Sequence, residues 1–201
     1  ATAGWITGLE ENERPGSLLW CEVGKCNSAR LLLDAATSIE GEGTSVSLID
    51  LDLHNGGLSA LVNSPGGGTL QAVLRGEQAP LEAADLVGGH AGAVHVLSTE
   101  KQVRNTGLIT RDRLVRLRGI LAPATDLTIF AANDPTKADT RLAASACDAV
   151  VLVVRRGTTR RRELRAAISE IELAGSKVVA VVNVPSVSRW RQIQGQGRDR
   201  R

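Results

Sequence analysis

Residues 46–53, Val-Ser-Leu-Ile-Asp-Leu-Asp-Leu, constrain the fold of this chain more than any other stretch. A short, almost wholly apolar run suits a strand buried on both faces, the environment of a central strand in a parallel sheet. It ends in Asp50-x-Asp52, so the carboxyl end of that strand presents two carboxylates. In open parallel sheets ligands meet that edge, and paired carboxylates there can hold Mg²⁺ beside a phosphate chain.

Strand and helix signals alternate along the chain. Residues 17–21, 45–51, 93–97, 127–131, 148–154 and 177–182 read as strands, and 29–39, 108–121, 138–146 and 158–174 as helices. This alternation predicts an α/β fold: a three-layer, doubly wound, mostly parallel sheet with helices on both faces. Gly41-Glu-Gly43 reads as the turn closing the first helix. The Gly-rich residues 55–68, with Pro65, read as a loop over the carboxyl edge of the sheet. Thr158 or Thr159 is the expected N-cap of the last helix, with Glu163 favouring its positive end.

A length of 201 residues with 42% hydrophobic content suits one globular domain, expected over residues 1–183, followed by a basic tail over 184–201. Aromatic residues make up 2%, so Leu, Val, Ile and Ala must fill the core. The cysteines at 21, 26 and 147 are odd in number and lack a second ligand pair for zinc. They point to a reducing cytoplasm. No apolar run reaches the roughly 20 residues that span a bilayer, and the first residues do not read as a signal peptide. Met is absent, so residue 1 reads as a processed boundary that a membrane segment can precede.

The carboxylate strand and the residues after it resemble the second nucleotide-binding motif of bacterial tyrosine autokinases, the polysaccharide-synthesis branch of the MinD/ParA-type P-loop ATPases. His54 stands where that family usually has Arg. The resemblance runs from about Ser17 to Asn183 and includes Gly68–Glu77, Cys147–Arg155, Gly157–Leu164 and Gly175–Asn183. It implies a P-loop NTPase-like fold. It also implies a nucleotide site at Lys25, Ser28, Asp50, Asp52 and Asp139, with Asp50 and Asp52 as the metal ligands where ATP and Mg²⁺ bind.

Against the family pattern, the phosphate loop of this chain is altered. In Cys21–Arg30, Ser28 falls where the catalytic Lys belongs and Ala29 where the Mg²⁺-binding Ser belongs. Lys25 and Asn27 take glycine positions, and side chains there obstruct backbone approach to phosphate. Lys25 is the one replacement charge in the loop. The family's third-motif Asp falls at or near Phe130, and Asp134 can serve only if the strand end is rebuilt. The chain has no tyrosine, the family's usual phosphate acceptor. The expectation is a pseudokinase-like domain with no catalytic residue and no cofactor.

Residues 1–149 carry 12 basic and 18 acidic side chains, whereas 150–201 carry 12 basic and 4 acidic ones. Arg160, Arg161 and Arg162 crowd a helix start, where cations are disfavoured, and mark a candidate interaction surface. This polarity implies self-association or docking on an anionic membrane surface. A chain with no aromatic stacking platform argues against nucleic acid. His54, His90 and His95 lack metal-ligand spacing, although a protonated His54, which follows the two carboxylates, can pair with Asp52 or with a partner's acidic group.

The resemblance implies a domain at the inner face of the plasma membrane. There it would assist or regulate capsular or exopolysaccharide synthesis and export, partnered by a membrane polysaccharide co-polymerase or export component. The alternatives are a divergent ATP-binding kinase or ATPase with Lys25 in the lost lysine's role, and a MinD-like positioning protein.

Overall fold

The computed structural model describes residues 15–53, 57–62, 69–89, 92–99 and 107–185. Seven strands form one sheet in the order β3-β4-β2-β5-β1-β6-β7. They are β1 (Ser17–Glu22), β2 (Val46–Asp50), β3 (Asp85–Gly89), β4 (Gly92–Leu97), β5 (Leu127–Asn133), β6 (Ala149–Arg155) and β7 (Val178–Val184). Only β3 runs antiparallel, paired to β4 as a hairpin on one edge. Every residue of β1 and β2 is buried, as a strand covered on both faces requires.

The helices are α1 (Ala29–Gly41), α2 (Ser59–Val62), α3 (Leu70–Arg75), α4 (Pro80–Ala83), α5 (Arg111–Leu121), α6 (Ala138–Ala146) and α7 (Arg161–Leu173). They divide between the faces by the period-2 alternation of the strands. On one face Leu18, Trp20, Leu48 and Ile129 pack on Leu32, Leu33, Ala36 and Ile39 of α1. On the other, Leu19, Cys21, Ile49 and Phe130 pack with Leu114 and Leu117 of α5, Ala143 of α6 and Ile171 of α7. The result is the three-layer, doubly wound arrangement.

Several boundaries differ from the sequence reading, each for a local reason. Residues 59–62 of the predicted loop form a turn of helix whose first residue, Ser59, is held by Asp50. Helix α5 begins at Arg111 and not at 108, because the Thr110 hydroxyl accepts the Arg113 N–H at 3.3 Å and fixes the start. Neither Thr158 nor Thr159 caps α7. The Thr159 hydroxyl instead accepts the Arg155 N–H at 3.0 Å, which leaves Arg160 as N-cap with its N–H donated to Glu163 Oε2 at 2.9 Å. Residues 186–201, most of the predicted basic tail, lie outside the described residues, as do His54 and His90.

Candidate functional site at the carboxyl ends of three strands

Three neighbouring strands end in polar residues: β1 in Glu22, β2 in Asp50 and β5 in Asn133. The register places Glu22 beside Asn133 and Asp50 beside Ala131, so the three end at one edge. After β1 the chain crosses to β2 and later returns through β5, which lies between them. At such a reversal the connections diverge and leave a crevice. Here the crevice is a cleft of about 490 Å³, and Glu22, Asp50, Asp52, Asp134, Lys25 and Lys137 are the charged residues among its described lining. Four carboxylates and two ammonium groups are thus among that described lining.

Both carboxylates of the Asp-x-Asp motif reach the cleft and both hold the fold. Asp50 Oδ2 accepts the Ser59 N–H at 2.9 Å and the Ser59 hydroxyl at 2.7 Å, while Oδ1 accepts the Asp52 N–H at 3.0 Å. Ser59 Oγ in turn accepts the Thr99 N–H at 2.8 Å. Asp50 therefore ties the end of β2 to the start of α2 and, through Ser59, to the chain after β4. Burial pushes its carboxyl above the usual range, against the opposing pull of the Ser59 hydrogen bonds. Asp52 Oδ2 accepts Asn133 Nδ2 at 2.6 Å, which joins β2 to β5 at the cleft floor.

The turn between β1 and α1 is held by an internal carboxylate. Glu22 Oε2 accepts the N–H of Cys26 at 2.8 Å and of Asn27 at 3.0 Å. Its Oε1 accepts the N–H of Ser28 at 2.5 Å and the Ser28 hydroxyl at 2.7 Å. Ser28 Oγ also accepts the Trp20 indole N–H at 2.8 Å. Three consecutive amides thus converge on one anion at the N-terminus of a 13-residue helix. Asn27 sits at φ +52° to turn them inward, a left-handed conformation that Asn tolerates better than most residues. The far side of the turn is pinned too: the Arg155 guanidinium donates to the Cys26 carbonyl, and Thr159 Oγ1 donates to the Val23 carbonyl at 3.3 Å.

Of the residues selected from the sequence, Lys25, Ser28, Asp50 and Asp52 share this cleft. Asp139, in the first turn of α6, lines a small adjoining hollow with Asp52 and Lys137. Asp134 lies just past β5 at φ +56°, its Oδ1 accepting the Thr136 N–H and hydroxyl at 3.0 and 2.6 Å. Phe130 is wholly buried in the core. Arg160, Arg161 and Arg162 are exposed at the start of α7, as are Arg156 and Arg165, and none makes an ion pair among the described residues. No cluster of three or more metal-ligating side chains occurs among the described residues.

Sequence reasoning missed Glu22, Ser59, Asn133 and Lys137. For Glu22 a signal existed: an acidic residue closing a buried strand at the mouth of a phosphate loop repels the ligand that loop is built for. The amides a phosphate would use already donate to Glu22, and the Asp50 oxygens already accept three bonds. The donor set of this loop therefore does not fit a phosphate chain.

No family model matches the chain, and no curated protein matches it significantly. Solved structures do match. The VpsO kinase domain is similar at a TM-score of 0.80 and 16% identity, over 92% of this chain and 91% of its own. The kinase domain of the Escherichia coli tyrosine kinase ETK is similar at 0.72 and 21% identity, over 92% and 73%. A chain of the Aquifex aeolicus MinC:MinD cell division complex is similar at 0.68 and 15% identity, over 89% and 72%. The chain shares its α/β fold with bacterial tyrosine kinase domains and with MinD/ParA-type ATPases.

Proposed function

We propose that this chain is a nucleotide-independent, pseudokinase-like domain that assists or regulates capsular or exopolysaccharide synthesis and export through protein contacts. The observation that carries the reading is the state of the loop and its carboxylates. The helix start presents Ser28 and Ala29 in place of Lys and Ser, and Asp50 is engaged with Ser59. The fold shared with tyrosine kinase domains supports the polysaccharide setting. The partner would be a membrane polysaccharide co-polymerase or export component at the inner face of the plasma membrane. Arg160, Arg161 and Arg162, which make no ion pair among the described residues, offer it, or an anionic membrane surface, a positively charged contact. Charge reversal of the three arginines is expected to weaken that association, and unchanged assembly would remove them from the interface.

The direct test is calorimetric titration with ATP and ADP in the presence of Mg²⁺, with Asp52→Ala as control. Neither heat nor thermal stabilisation is expected at millimolar nucleotide. Binding that Asp52→Ala abolishes would overturn the proposal. It would favour the second reading, a divergent ATPase or kinase, which draws its support from the two lysines, Lys25 and Lys137, in the cleft. Lys25→Ala and Lys137→Ala would then each be expected to weaken binding.

A further inference from the structure

The turn between β1 and α1 has the form of an anion-binding nest, in which successive N–H groups converge beside a helix N-terminus. What fills it is part of the chain. Glu22 is 8% exposed, and its two oxygens receive four hydrogen bonds, from the Cys26, Asn27 and Ser28 amides and the Ser28 hydroxyl. A buried carboxylate needs such compensation, and buried amides need an acceptor, so each satisfies the other. On the opposite side of the turn, Arg155 holds the Cys26 carbonyl. Glu22 closes β1 and Arg155 closes β6, which are paired strands, so the two ends of adjacent strands grip the same peptide segment from both sides.

We infer that Glu22 is a resident anion that occupies this nest in place of a phosphate group and closes the loop to external oxyanions. The loop keeps a ligand-bound shape without ligand, and its order is uncoupled from nucleotide. The inference deepens the nucleotide-independent reading and rests on it for biological meaning, but it can fail separately. The geometry also specifies what removal of the carboxylate does. It leaves three amides and a helix N-terminus converging on an empty position, which suits a tetrahedral oxyanion such as inorganic phosphate.

The experiment is thermal unfolding of wild type, Glu22→Ala and Glu22→Gln across a series of inorganic phosphate concentrations, with chloride at matched ionic strength as control. Wild-type Tm is expected to be independent of phosphate. Glu22→Ala is expected to melt lower and to recover by about 3–6 °C at a tenfold excess of phosphate over its Kd. Glu22→Gln, which places an amide against the N–H donors, is expected to melt lower with less recovery. Should Glu22→Ala fail to fold, amide hydrogen exchange of the wild-type chain in anion-free buffer decides. Protection at Cys26, Asn27 and Ser28 supports the inference, and rapid exchange at all three overturns it. Phosphate stabilisation of wild type equal to that of Glu22→Ala would also overturn it. Wild type inert to both ATP and phosphate, with a Glu22→Ala variant equally inert, would sink this inference and leave the nucleotide-independent reading standing. ATP binding by wild type would sink that reading itself.

Discussion

Replacing Asp50 separates a structural carboxylate from one kept for a metal. Asp50→Ala strips the acceptor from two backbone N–H groups, that of Asp52 in a buried setting and that of Ser59 in a partly buried one. Each buried donor left unsatisfied costs about 1–3 kcal/mol. The Ser59 hydroxyl loses a partner as well, although it is free to rotate while still accepting from Thr99. Removing a desolvated charge offsets part of this, so the net loss should be about 2–4 kcal/mol. With a urea m-value on the order of 2 kcal/mol/M, the unfolding midpoint should fall by about 1–2 M at unchanged m.

Asp50→Asn keeps one acceptor oxygen and should fall between wild type and Ala. Because the folded carboxyl titrates above its usual value of 3.8, the unfolded chain ionises first as pH rises. Wild type therefore loses stability across the window from 3.8 up to the raised folded value, and the deficit is constant above it. Asp50→Asn lacks this titration, so its stability relative to wild type should improve with pH across that window and then level off. A midpoint shift below about 0.3 M for Asp50→Ala, or a pH-independent difference for Asn, would refute the reasoning.

At the opposite edge of the sheet, Arg118 Nη1 donates to Asp148 Oδ1 and Ser17 Oγ, both at 2.8 Å, and to the Ala146 carbonyl at 3.1 Å. The pair is partly exposed, so Arg118→Ala should cost about 1 kcal/mol and lower Tm by about 2–4 °C in a thermal melt. An unchanged Tm would show the contact to be energetically idle. Burial pushes the Cys26 thiol up to about 11 and the Cys147 thiol up to about 12, and Cys21 higher still. Iodoacetamide at pH 8 should therefore alkylate none of the three in the folded chain and all three in denaturant, counted by intact mass. Stoichiometric labelling of the folded chain would contradict the burial.

The sheet and its long helices were legible because their periodicities are strong. Ala138–Ala146 matches its predicted span, and β1, β2, β5, β6 and β7 lie within a few residues of theirs. What escaped was local. Asp85–Gly89 offers three apolar or acidic residues before two glycines, too little alternation to mark a strand, and it forms because β4 supplies a hairpin partner. Helix α2 lies in the Gly-rich stretch, and α3 and α4 are only six and four residues long, too short for a helical period to show; they form because Asp50, Thr69 and Pro80 fix the three starts. In the site, the two aspartates were visible as a motif, but their hydrogen-bond partners come from residues 59 and 133, at distances along the chain that spacing cannot reveal.

The position of β1 in the sheet also sets a timetable for folding. It is the first strand among the described residues, yet its neighbours are β5 and β6: Ser17 pairs with Thr128 and Leu18 with Ala149. At a synthesis rate of roughly 5–20 residues per second, more than a hundred residues must follow β1, a wait on the order of 10 s, before it has either partner. Throughout that interval Leu18, Leu19, Trp20 and Cys21, all buried in the finished fold, stand without their neighbours. Pairings so distant along the chain predict slow folding and a nascent chain whose first strand is exposed to aggregation until β5 and β6 arrive.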